Sequence, residues 1–155
     1  MYDILSHINE WECLINCYIG CYPSDRVPIP LHFFKVGATW TGTCCDTLNK
    51  FGVVTIKIVS QQHTHSFLGT VRWHKYPLNA TAVAQIEWDD AKSHVKVTEL
   101  RMSEQDPAPR DTFPVRFILT PVGTHGLAGE YTTNKKIEQF DFGTFYYRGH
   151  VYFEV

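Results

Sequence analysis

The chain reads as mainly β: an antiparallel meander closing into a small barrel of eight or nine strands, with one N-terminal α-helix in front. Three observations predict this. Short β-rich runs recur from Val36 to the C-terminus with turn signals between them. The clearest of these runs alternate apolar and polar residues with period two. No segment between them is long enough for the crossover helix that a parallel pair requires. Such a sheet must pair with another or close on itself, and closure removes its edges.

The first element is the helix. Ile4, Ile8, Trp11, Ile15 and Tyr18 recur at spacings of three and four and form one apolar stripe. Gly20 and Pro23 stop it. The stretch "YPSDRVPIPL" follows, extended because each Pro disfavours helix in the residue before it. Residues 1–35 are thus expected to form a helix and connector packed on a barrel of residues 36–155.

The strands come next. The runs are "ATWTGTC", "VVTIKIV", "SFLGTVRW", "TAVAQIEW", "HVKVTELRM", "FPVRFILT", "LAGEYTT", "FDFGTFYY" and "HVYFEV". In the second, Val54, Ile56 and Ile58 share a face opposite Thr55 and Lys57; in the sixth, Phe113, Val115, Phe117 and Leu119 oppose Arg116. Turns are expected at 49–52, 76–79, 89–90, 103–111, 123–126 and 134–136. Gly42, Gly69, Gly129 and Gly143 fall within strands beside large aromatics. Glycine inside a strand marks a bend or a close approach, which a closing sheet needs.

Composition narrows the class. The chain has 155 residues, 44% of them hydrophobic and 14% aromatic, enough for one domain with a real core. The formal net charge of -2 supplies no basic field for nucleic acid. "VRWHKY" interleaves bases and rings, but it reads as a strand end. The N-terminus lacks a basic stretch ahead of its apolar residues, so no signal peptide is expected. No apolar run is long enough to span a bilayer. An intracellular, cytoplasmic location follows as the expectation, with all five cysteines reduced.

The segment "GATWTG", Gly37 to Gly42, resembles the opening strand of calycin-type barrels, the lipocalins, fatty-acid-binding proteins and avidins. That resemblance implies a barrel floor closed by Trp40, with Gly37 and Gly42 bending the strand around it. It also implies an Arg from the last strand packed against the Trp, and Arg148 holds that place. It covers about 120 residues and names no ligand.

Candidate chemistry is sparse. Cys13, Cys17 and Cys21 share a helix face but lack paired C-x-x-C knuckles, so no metal is expected. His63 and His65 sit in "SQQHTHS", read as a hairpin tip. No nucleophile elbow or phosphate loop is present, so no cofactor is expected and an enzyme is the least favoured class. In "VKVTELRM", Glu99 and Arg101 share a face with Val95 and Val97. If those valines face the core, the two charges form an interior pair able to orient a ligand. The reverse register, slightly preferred, puts Leu100 and Met102 inside and both charges in water.

The expected function is a non-enzymatic binding domain whose barrel holds a small apolar or amphipathic ligand, or a peptide end. Trp73, Trp88, Phe117, Tyr131 and Tyr146 would line the site, and Glu99 or Arg101 would add polarity. The alternative is a structural or interaction subunit with a barrel filled by its own side chains and a protein partner met through the helix.

Overall fold

The computed structural model of the chain describes residues 29–47, 51–74, 80–103, 111–139 and 143–155. The expected helix, its apolar stripe and Cys13, Cys17 and Cys21 lie outside them. Among the described residues there is no α-helix, so none is long and apolar enough to cross a membrane.

The described chain forms eight strands: β1 (Thr39–Asp46), β2 (Phe51–His63), β3 (Ser66–Trp73), β4 (Ala80–Asp89), β5 (His94–Met102), β6 (Arg116–Val122), β7 (Gly126–Gln139) and β8 (Gly143–Glu154). Each pairs antiparallel with the next in sequence, and β8 pairs back with β1 to close the barrel. The alternation read from β2 and β6 holds. Val54, Ile56, Ile58, Phe117 and Leu119 are fully buried, while Lys57 and Arg116 are exposed.

Nine β-rich runs become eight strands because the last two fuse. Arg148, Gly149 and His150 continue the ladder to β7 without a break, opposite Thr132, Tyr131 and Glu130. Gly149 marks a close approach here. A Cβ on it would lie 2.4 Å from the Cys45 carbonyl oxygen and 2.5 Å from the Tyr131 ring. The turn expected at 134–136 is also absent. Those residues lie inside β7, at a register shift between Thr132 and Lys136. Thr133 holds the irregularity: its hydroxyl donates to the Tyr147 carbonyl and accepts from the Lys135 amide.

The two ends of the barrel differ. At one end lie the β2–β3, β4–β5 and β6–β7 turns, together with residues 29–38. Phe33 and Phe34 are buried there among the core rings, so the end of the connector is part of the barrel's packing. Two turns after Pro30 bring them in, through amide bonds from Phe33 to the Pro30 carbonyl and from Phe34 to the Leu31 carbonyl. At the other end β1, β3, β5 and β7 finish at Asp46, Trp73, Met102 and Gln139.

The tightest strand contact is at Gly129, where an added Cβ would stand 1.9 Å from the Ile118 carbonyl oxygen, a backbone atom that cannot step aside without moving β6. Gly129→Ala is therefore expected to cost at least about 1–3 kcal/mol, the usual range for overpacking. A thermal melt checks this; an unchanged midpoint would contradict the β6–β7 spacing.

Candidate functional site

Trp40 anchors the first end. It is fully buried, and its indole N–H donates to the Phe33 carbonyl at 2.9 Å. Phe33, Phe34 and Phe153 surround the ring edge-on, with centroids 5.5–6.0 Å away. Gly37 turns the chain into β1 with φ +94, and Gly42 makes room for the Phe153 ring, 2.5 Å from where its Cβ would be. The arginine that the calycin resemblance placed against the Trp is elsewhere. Arg148 is exposed and pairs with Thr132, while Gly149 beside it faces Asp46, the last residue of β1. Because β8 runs antiparallel to β1, Phe153 is the β8 residue that reaches the level of Trp40.

From Trp40 the rings continue through the barrel. Phe153 contacts Phe117, which stacks on Trp73 at 5.7 Å and 16°, and Tyr131 packs against both. The rings thus form one connected series from Trp40 to Trp73 and Tyr131. Trp88 belongs to the Trp40 end, where it meets Phe34 and donates to the Asp90 carboxylate.

Of the residues proposed from the sequence as a ligand lining, the fold brings four together: Trp73, Glu99, Phe117 and Tyr131. Glu99 is only 2% exposed. Its carboxylate accepts from the Trp73 indole N–H at 3.3 Å and from the Val115 amide at 2.9 Å. Those bonds offset the cost of burying a carboxylate.

Arg101 and Tyr146 lie outside this group. Neither register weighed for β5 holds along its whole length, because the strand bulges. Val83 pairs with Arg101 and Ala84 with Glu99, leaving Leu100 as the extra residue, 51% exposed. A bulge inserts one residue and breaks the alternation, so Glu99 stays inside with Val95 and Val97 while Arg101 is exposed. Tyr146 is 52% exposed on β8, with the Lys136 ammonium 5.8 Å from its ring centre.

Three further groups join the site. Asp46 is buried at the end of β1 and accepts a hydrogen bond from the Tyr147 hydroxyl. Cys44, two residues before it, is buried on the same face. Period two from Trp40 through Gly42 and Cys44 leads to Asp46, a signal legible in the sequence. Tyr147 carries no comparable signal.

Burial, and then the neighbouring Cys44, Tyr147, Asp46 and Cys45, push the Tyr131 phenol well above its ordinary value. The phenol is therefore protonated at any physiological pH and stands ready to donate. Tyr131 is 3% exposed. The Thr47 hydroxyl, next to Asp46, is buried with no described partner. Buried polar groups are almost always paired, which makes this hydroxyl an exception.

The expected hairpin tip at His63 and His65 is the β2–β3 turn, and His74 of "VRWHKY" bonds to the Thr55 hydroxyl at 2.7 Å. No protein-family model matches the chain, and no curated protein matches it.

Proposed function

We propose that the protein is a binding domain that takes a small amphipathic ligand at the end of the barrel where β1, β3, β5 and β7 finish. The ligand's body lies against the Trp73–Phe117–Tyr131 rings, and its polar part meets the Glu99, Tyr131 and Asp46 side. The observation that carries this reading is the placing of two buried carboxylates, Asp46 and Glu99, at the same end of the barrel as the Trp73, Phe117 and Tyr131 rings. A pocket lined by rings with a few converging polar groups is the usual form of a small-molecule site. The calycin resemblance supports the same polarity of the barrel, with Trp40 closing the opposite end.

A second reading, an interaction or structural subunit, is supported by a different observation. The Trp40 end is filled by rings, and Leu31, Val36 and Val59 near it are exposed. The Gly37 amide bonds the Ile58 carbonyl, which sets Val36 and Val59 side by side.

Native mass spectrometry of the protein purified from its own source, paired with titration of 1-anilinonaphthalene-8-sulfonate, tests the choice. Ligand binding predicts a small mass increment lost on collisional activation, and saturable dye binding that Trp73→Ala weakens. An apo mass within a defined multi-subunit assembly, with no saturable dye binding, supports the second reading instead.

A further inference from the structure

We propose that His32 and His125 together hold a transition-metal ion of the zinc and copper class across the Trp40 end of the barrel. The inference goes beyond the ligand-binding reading, which concerns the opposite end, and stands or falls without it.

An unsatisfied atom is the first reason. The Nε2 atom of the half-buried His32 is itself buried and has no hydrogen-bond partner among the described residues. Buried polar atoms are almost always paired, and a neutral imidazole nitrogen is the commonest metal ligand.

The second reason is the imidazole beside it. His32 lies in the turn after Pro30, and its ring packs 4.8 Å from that of Phe33. His125 is the last residue before β7, in the turn that follows β6. Its exposed ring meets the His32 ring edge-on, with centroids 5.4 Å apart and planes at 71°. Two imidazoles on one tetrahedral ion, each with a metal–nitrogen distance of about 2.0–2.1 Å, have ring centres about 5 Å apart. The observed separation therefore asks for rotation of the rings and little movement of either backbone.

The donors select the ion. Imidazole suits zinc, copper and nickel, whereas magnesium and calcium take oxygen ligands. Among the described residues no group of three or more His, Cys, Asp or Glu side chains is placed to hold a metal. Two protein ligands therefore carry the ion, and water takes its other positions, as in an open site. The ion would tie the connector to the β6–β7 turn. Its neighbour in the connector is Phe33, whose carbonyl accepts the Trp40 indole N–H, so binding would secure the closed end of the barrel.

Thermal denaturation of the full chain near neutral pH, with zinc, with magnesium and with neither, tests the site. At zinc about a hundredfold above its dissociation constant, the melting midpoint is expected to rise by about 5–10 °C. Magnesium at the same concentration should leave it unchanged. His125→Ala should keep the metal-free midpoint, because the His125 bond from the Val155 amide is made by the backbone carbonyl. The same variant should lose most of the zinc shift. A variant with both His63→Ala and His65→Ala, in the β2–β3 turn at the same end, should keep the whole shift. With copper in place of zinc, electron paramagnetic resonance should show coupling to two imidazole nitrogens in the wild type and to one fewer in His125→Ala. No rise with zinc, an equal rise with magnesium, or a rise that survives His125→Ala overturns the proposal, as does its loss in the His63 and His65 variant.

Discussion

Trp40→Ala is expected to lower the unfolding free energy by about 3–5 kcal/mol, the usual cost of deleting a large buried aromatic. The ring is fully buried and touches Phe33, Phe34 and Phe153, which come from the connector and from β8. Its loss would open a cavity that these neighbours cannot fill without moving off their own contacts with Phe67, Trp88 and Phe117. Trp40→Phe separates packing from hydrogen bonding. It keeps most of the ring but leaves the Phe33 carbonyl without the indole donor, at about 1–3 kcal/mol. Urea denaturation followed by circular dichroism measures both. A loss below about 1 kcal/mol for Trp40→Ala would mean that the Trp40 end is not held by this ring cluster.

How far the molecule was legible in the sequence depends on what kind of interaction decides each part. Period two is set by the pleat of a single strand, so β2 and β6 could be read residue by residue. Closure followed from edge avoidance and from short links, which are also local. The misreadings concern places where one strand adapts to another. Leu100 bulges because the ladder to β4 slips by one residue at Val83 and Ala84, and no single-strand pattern carries that slip. Asn134 to Lys136 have turn chemistry, yet Thr133 bonds them into the β7–β8 ladder. Gly149 looks like a break and is instead the space into which the Tyr131 ring fits. Arg148 was placed by resemblance alone, and strand direction puts it at the other end of β1.

The site follows the same division. Trp73, Phe117 and Tyr131 were accessible as inward aromatics of their strands, and Asp46 follows from the alternation that begins at Trp40. The meeting of Glu99 with the Trp73 indole and the Val115 amide spans β3, β5 and the approach to β6. It is a tertiary fact, and the bulge at Leu100 is what separates Glu99 from Arg101.

Replacing Glu99 by Leu is expected to destabilise the protein by about 2–6 kcal/mol, since two buried N–H donors would each lose an acceptor at about 1–3 kcal/mol. Leucine has similar bulk and no penalty for burial, so packing alone predicts a neutral or stabilising change. The two accounts therefore differ in sign. Glu99→Gln retains a carbonyl oxygen for one donor and should fall between the wild type and Glu99→Leu. A double-mutant cycle assigns the share carried by the indole. In a Trp73→Phe background one of the two donors is already gone, so Glu99→Leu should cost less there by about 1–3 kcal/mol. Chemical denaturation of the four proteins, with the slope on denaturant checked for constancy, measures the coupling. A Glu99→Leu protein as stable as the wild type, with no coupling to Trp73, would show that the carboxylate does not hold these donors. Glu99 would then be an acid retained inside the barrel for binding rather than for the fold.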